Sequence, residues 1–205
     1  LPFVMGQDNA KLSKRNGETS IAWYREMGFL PEAICNYLAL LGWSPGDDRE
    51  NVTMQEIADL FTVERVNSSP ARFDMKKLEA INGDKIRELT LDDFLKRALP
   101  FLIKDQVIKG DAKEIEIVKA ALPIIQERIV TLSEIPAMLK FLFVTNFEVE
   151  AESLPKIADE SAQLILKRAL TDLSNLNEWS HAGIEAVLRA SLIEELGLKP
   201  RIAFT

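Results

Sequence analysis

From residue 110 to residue 197 the apolar residues recur at three- and four-residue spacing and never alternate over a sustained length. That period lines up one stripe of an α-helix, whereas a half-buried strand needs an apolar residue at every second position. Ile115, Val118, Ala121, Leu122 and Ile125 make one stripe, with Pro123 inside it expected to kink the helix or split it in two. Met138, Leu139, Leu142 and Phe143 make another, which Pro136 starts or interrupts. A third covers 154–173 through Ile157, Ala158, Leu164, Ile165 and Leu170. The last runs from a cap at Ser180 through Ile184, Val187, Leu188 and Leu192 to a stop at Gly197. A β-barrel does not suit this half, because it needs many alternating strands with turns at short intervals.

The first half mixes shorter elements. Residues 1–5 read as a strand, Gly6 and Asn9 suit a turn, and a returning strand would complete a short β-hairpin. Ser20 can cap a helix bearing Trp23, Tyr24 and Met27, which Gly28 ends. Pro31 fits a first helical turn, and Ala33, Ile34, Tyr37, Leu38 and Leu41 follow at helical spacing until Gly42. Thr53 with Glu56 has the capping-box pattern ahead of Ile57, Leu60 and Phe61. After a loop at 67–70, Asp74 starts a helix with Leu78 and Ile81 on one face and Lys76 and Lys77 on the other. Asn82-Gly83 is expected to end it, Asp84 or Thr90 to cap the next helices, and the pattern at Phe94, Leu95 and Leu99 to stop at Pro100. The expected class is mainly α with a short β-hairpin at the N-terminus.

Composition narrows the setting. No run of about 18 apolar residues exists and no charged-apolar-small leader opens the chain, so neither a membrane span nor a signal peptide is expected. The single cysteine, Cys35, cannot close an internal disulfide; it lies on a helical apolar pattern and is expected to be a small core residue in a reducing, cytoplasmic setting. Net charge is -7, which at first argues against nucleic acid. The distribution is uneven: residues 65–109 carry ten Lys and Arg against seven Asp and Glu, and are the only basic third. Arg65, Arg72, Lys76, Lys77, Lys85, Arg87, Lys96 and Arg97 form a pool for phosphate contacts. The plainer alternative is a solvated helical face laced with i,i+4 ion pairs. No paired carboxylates, metal-ligand spacing or Ser/His/Asp set can be argued, and the lone His181 fits capping or plain exposure.

One short polar segment, Lys11-Leu12-Ser13-Lys14-Arg15, places two ammonium groups, a guanidinium and a hydroxyl together. Those groups suit polyphosphate, although the glycine spacing of a phosphate-cradling loop is absent. With its flanks, the segment resembles the KMSKS signature loop of class I aminoacyl-tRNA synthetases in its glutamyl form, Arg15 replacing the generic final serine. Trp23-Tyr24, Gly28-Phe29-Leu30-Pro31-Glu32-Ala33, Asn36-Tyr37-Leu38-Ala39-Leu40-Leu41-Gly42-Trp43-Ser44 and Phe73-Asp74-Met75-Lys76-Lys77-Leu78 are similar to successive blocks of the bacterial-type glutamyl enzymes.

The resemblance implies an enzyme that activates glutamate with ATP, with Mg2+ accompanying the nucleotide, and transfers it to tRNA(Glu). It implies that Lys14 and Lys11 act in catalysis and that Lys11, Ser13, Lys14 and Arg15 bind ATP. It also implies three regions: 1–20 ending the catalytic domain, 21–108 touching the tRNA stem, and 109–205 binding the anticodon and C-terminally incomplete. The nucleotide fold, the HIGH-type motif and the glutamate pocket are expected upstream of residue 1, leaving this portion inactive alone, monomeric and off the membrane. Arg128, in Gln126-Glu127-Arg128-Ile129, aligns with an arginine that reads the anticodon, while Arg72, Lys76, Lys77 and Arg87 are candidates for the tRNA backbone. The alternatives are a glutaminyl or non-discriminating relative, or a non-catalytic helical module that binds RNA or protein.

Overall fold

Helix starts are set by side chains that satisfy free N–H groups. Ser20 accepts from the Trp23 N–H at 3.1 Å and begins α1 (Ile21–Glu26). Gly28, at φ +77°, turns the chain into α2 (Pro31–Leu40), where proline occupies the first turn. Thr53 and Glu56 form a capping box on α3 (Met54–Leu60), and Asp74 caps α4 (Met75–Arg87). Thr90 caps α5 (Leu91–Lys104), and Asp111 with Glu114 forms a second capping box on α6 (Ala112–Gln126). Next come α7 (Ile135–Leu139), α8 (Leu154–Ala158), α9 (Glu160–Ser174), α10 (His181–Leu188) and α11 (Pro200–Ala203). The computed structural model describes residues 3–6, 20–145, 151 and 154–203.

The architecture is mainly α. Among the described residues, strands occur only at β1 (Val4–Met5) and β2 (Ala71–Arg72), which pair in parallel with Val4 opposite Ala71 and Met5 opposite Arg72. The returning strand of the expected hairpin falls at residues 7–19, outside the described residues.

Packing divides the chain into two compact units, Leu1–Thr145 and Asn146–Thr205. In the first, α2 lies against α4, and α5 lies against α6 and α7. Its core contains Tyr37, Leu78, Ile86, Phe94, Leu102 and Leu122, each exposed by 2% or less. Several sequence blocks prove to be core material: Tyr24, Phe29, Leu30, Ala33, Asn36, Tyr37 and Trp43 are all buried. Tyr24 meets Trp23 and Phe29 edge-on, with ring centroids 5.0 and 5.4 Å apart. In the second unit α9 packs with α8, with α10 and with a wide helical turn at Arg189–Glu195.

Several expectations need correction. Asn82-Gly83 does not end a helix; α4 runs through both, because the Asn82 amide is spent on tertiary hydrogen bonds rather than on a cap. Asp84 therefore lies inside α4. Pro100 does not stop α5 and Pro123 does not split α6. Both prolines are exposed, so the carbonyl four residues earlier, which loses its N–H partner, can turn to water. Cys35 is exposed, not core: α2 turns Ala33, Asn36 and Tyr37 inward, which carries Cys35 to the outer face. The helix expected over 154–173 is broken at Asp159, whose extended backbone starts α9 afresh. The last helix widens after Leu188 into a π-type turn before Gly197, where φ is +65°.

Candidate nucleic-acid interface

The two ends of α4 carry three of the candidate cations, Lys76, Lys77 and Arg87, and β2 just before it carries Arg72. At the start of α4, the buried Tyr37 hydroxyl accepts the Asp74 N–H at 2.6 Å, and the Asp74 carboxylate accepts from the Lys77 N–H at 3.3 Å. The same burial pushes the Tyr37 hydroxyl above its ordinary pKa. This anchor sets the segment that carries Arg72, Lys76 and Lys77. Lys77 bonds Glu50 at 2.6 Å. Lys76 is exposed and makes no ion pair among the described residues. A cation in a first helical turn opposes the helix dipole, so stability does not account for Lys76 there. Arg72, on β2, is exposed.

At the other end Arg87 lies over Gly83, its guanidinium 2.6 Å from Asp84 Oδ1. Lys76 and Arg87 are separated by about 16 Å of helix at 1.5 Å per residue. Arg128 joins the Arg87 end. It follows α6 in an exposed turn, its backbone N–H bonded to Ile125 O at 2.8 Å and its side chain without an ion pair among the described residues. The Gln126 bonds to the Ile86 and Leu89 carbonyls set the turn bearing Arg128 beside the α4 end that carries Arg87, and Arg72 lies in the short strand just before Lys76 and Lys77. Lys11, Ser13, Lys14 and Arg15 lie outside the described residues.

Three members of the wider basic pool belong to the fold instead. Lys85 is 7% exposed and paired with Glu88 at 3.2 Å. Arg97 bonds Glu32 and Asp93, each at 3.0 Å, and its hydrogen bond holds the Glu32 carboxyl below the usual carboxylate pKa. Arg65 donates to the Pro45 carbonyl at 3.0 Å. A pocket of about 270 Å3 beside Lys85 is lined by Leu30, Glu32, Val52, Met54 and Glu88, with no second cation converging on it. His181 is exposed at the start of α10. Among the described residues no cluster of three or more His, Cys, Asp or Glu side chains could hold a metal, and no helix is long and apolar enough to cross a membrane.

Two residues absent from the sequence candidates organise the Arg128 edge. Asn82, fully buried, accepts from the Leu30 N–H at 2.7 Å and donates to the Val130 carbonyl at 2.6 Å. Gln126, 8% exposed, donates to the carbonyls of Ile86 at 2.7 Å and Leu89 at 2.8 Å. The only sequence signal for either was an amide on or beside an apolar stripe.

The chain matches the family model for the anticodon-binding domain over residues 93–204, and that for the catalytic domain of class I tRNA synthetases (E and Q) over 1–80. It is 44% identical along its whole length to the glutamate–tRNA ligases of Saccharopolyspora erythraea and Leifsonia xyli, spanning 41% and 43% of those proteins. Among solved structures it superposes on a glutamate tRNA ligase from Elizabethkingia meningosepticum with a TM-score of 0.77 at 24% identity, covering 99% of this chain and 43% of that one. A glutamate-tRNA synthetase from Elizabethkingia anophelis gives 0.73 at 25% identity, over 97% and 41%. The chain therefore belongs to the anticodon-binding domain family, and its relatives across its whole length are glutamate–tRNA ligases.

Proposed function

We propose that the chain holds tRNA for a glutamate–tRNA ligase, an enzyme that activates glutamate with ATP and transfers it to tRNA(Glu). The supporting observation is a match to named glutamate–tRNA ligases along the whole chain, with the anticodon-binding family covering more than half of it. The region at 109–205 would read the anticodon, with Arg128 contacting an unstacked base. Residues 21–108 would touch the stem through Arg72, Lys76, Lys77 and Arg87. A guanidinium offers forked donors to a base edge and can stack on it, as single-stranded RNA loops require. Packing cuts across this division of labour, since α6 lies in the same unit as α4 and α5.

Residues 1–20 would contribute the edge of the reaction site. As the glutamate carboxylate attacks the α-phosphate of ATP and pyrophosphate leaves, negative charge shifts onto phosphoryl oxygens. Lys14 would be the main cation for that moment, with Lys11 and Arg15 in support and Ser13 holding the loop. Cations that bind the transition state more strongly than the bound substrate lower the barrier. Mg2+ would arrive with ATP, and the enzyme would work as a cytoplasmic monomer.

The test is equilibrium binding of the chain to tRNA(Glu) and tRNA(Gln). Arg128→Gln should reduce the preference for tRNA(Glu) about tenfold, the worth of one good forked contact. An unchanged preference rejects Arg128 as the reader, and no preference for tRNA over a protein partner favours the interaction-module alternative.

A further inference from the structure

We infer that Asn82 and Gln126 are positioning residues that aim Arg128, an inference that rests on Arg128 as the base-reading group. The turn bearing Arg128 is held from both sides by side-chain amides. Two residues before it, Gln126 Nε2 reaches the Ile86 and Leu89 carbonyls at 2.7 and 2.8 Å, with the Arg87 carbonyl at 3.4 Å. These carbonyls belong to the end of α4 and the link beyond it, and that of Ile86 also accepts the Leu89 N–H at 3.1 Å. Two residues after it, the Val130 carbonyl accepts from Asn82 Nδ2 at 2.6 Å. Asn82 also reaches the far side of the core, where its Oδ1 takes the Leu30 N–H at the head of α2. Leu30 has no side chain able to cap that helix.

The exit of the turn is fixed further by Glu134, whose Oε1 accepts from the Val130 and Thr131 N–H groups at 3.0 and 2.7 Å. Ile129 is fully buried beside the exposed Arg128. The backbone around Arg128 is therefore tied at several points while its guanidinium points to solvent without an ion pair among the described residues. Such an arrangement reduces the freedom that binding must remove, which raises affinity only for a partner that fits the fixed direction. Apolar packing alone would leave the turn able to rotate, whereas hydrogen bonds to both sides of it set its orientation.

Asn82→Asp separates positioning from general stability. The aspartate keeps the acceptor for Leu30 but sets an oxygen against the Val130 carbonyl. Gln126→Glu does the same against Ile86 and Leu89, and Gln126→Met provides an uncharged second variant should the acidic ones fail to fold by far-UV circular dichroism. Binding of the whole 205-residue chain to tRNA(Glu) and tRNA(Gln) is measured for each variant, alone and combined with Arg128→Gln. Expected is an about fivefold loss of preference for tRNA(Glu) in each folded clamp variant, and in each double variant no loss beyond the about tenfold of Arg128→Gln alone. A folded clamp variant that weakens both tRNAs alike, keeps the full preference, or loses preference additively with Arg128→Gln overturns the positioning role while leaving Arg128 as the reader. No effect of Arg128→Gln itself removes the reader and the inference together.

Discussion

A Cβ placed on Gly28 would sit 2.6 Å from the Leu132 backbone nitrogen and 2.7 Å from the Leu132 Cβ. Its φ of +77° adds the strain that side chains meet in the left-handed region. The Gly28 carbonyl also accepts the Leu132 N–H at 3.1 Å, so the two segments cannot separate without losing that bond. Gly197 has a similar φ of +65° but open space around it. Gly28→Ala is therefore expected to cost about 3 kcal/mol, and Gly197→Ala about 1 kcal/mol, in urea unfolding followed by circular dichroism. Equal losses would mean that backbone strain alone matters. At this scale the sequence is partly legible. Gly28 reads as a helix stop, but its close approach to Leu132 joins residues far apart in the chain. Asn36 is similar: a polar residue within an apolar helix, it bonds the Glu50 carbonyl and the Val52 N–H, both at 2.9 Å. A composition-based view sees only an amide.

Capping boxes are the elements most readable in advance, because donor and acceptor lie three residues apart. The Thr53 N–H and Glu56 Oε2 are 2.8 Å apart, and the Glu56 N–H reaches the Thr53 hydroxyl at 3.1 Å. The Thr53 backbone N–H, then Arg49 at 2.8 Å, lower the Glu56 pKa from 4.5 to about 2. With the folded value depressed, the stabilisation from Glu56 is complete above its ordinary value of 4.5 and is lost as pH falls through about 2. Glu56→Gln should melt below the parent at pH 7, and the gap should close as melting is repeated toward pH 2. A gap independent of pH would show that the carboxylate charge is not involved. Helix ends marked by residues with two possible jobs are less readable. Pro100 and Pro123 interrupt hydrogen bonding only on exposed faces, so α5 and α6 continue through them.

At the scale of the molecule, a net charge of -7 coexists with a basic stretch at 65–109. Packing thins that stretch by assigning Lys85 and Arg97 to internal ion pairs and leaving Lys76 exposed. Phosphate neutralisation releases counterions, so affinity for tRNA should fall steeply as salt rises. Lys76→Ala should weaken tRNA(Glu) and tRNA(Gln) alike and flatten the plot of log K against log salt by about 0.7 to 0.9, the share of one phosphate contact. Arg128→Gln should instead change the preference between them. An unchanged slope in Lys76→Ala would remove that lysine from the interface.

Spacing along the chain was enough to establish a mainly helical protein, most of its caps and the resemblance carried by Lys11-Leu12-Ser13-Lys14-Arg15 and its flanks. Helical hydrogen bonds and caps connect residues three or four apart, so their rules act within a window that can be read directly. Which cations stay available and what aims Arg128 depended on α2 packing on α4 and on Gln126, at the end of α6, reaching the end of α4. An amide such as Asn82 suits a turn, a cap or a buried clamp equally well until its neighbours are known, and those neighbours, Leu30 and Val130, lie far from it in sequence.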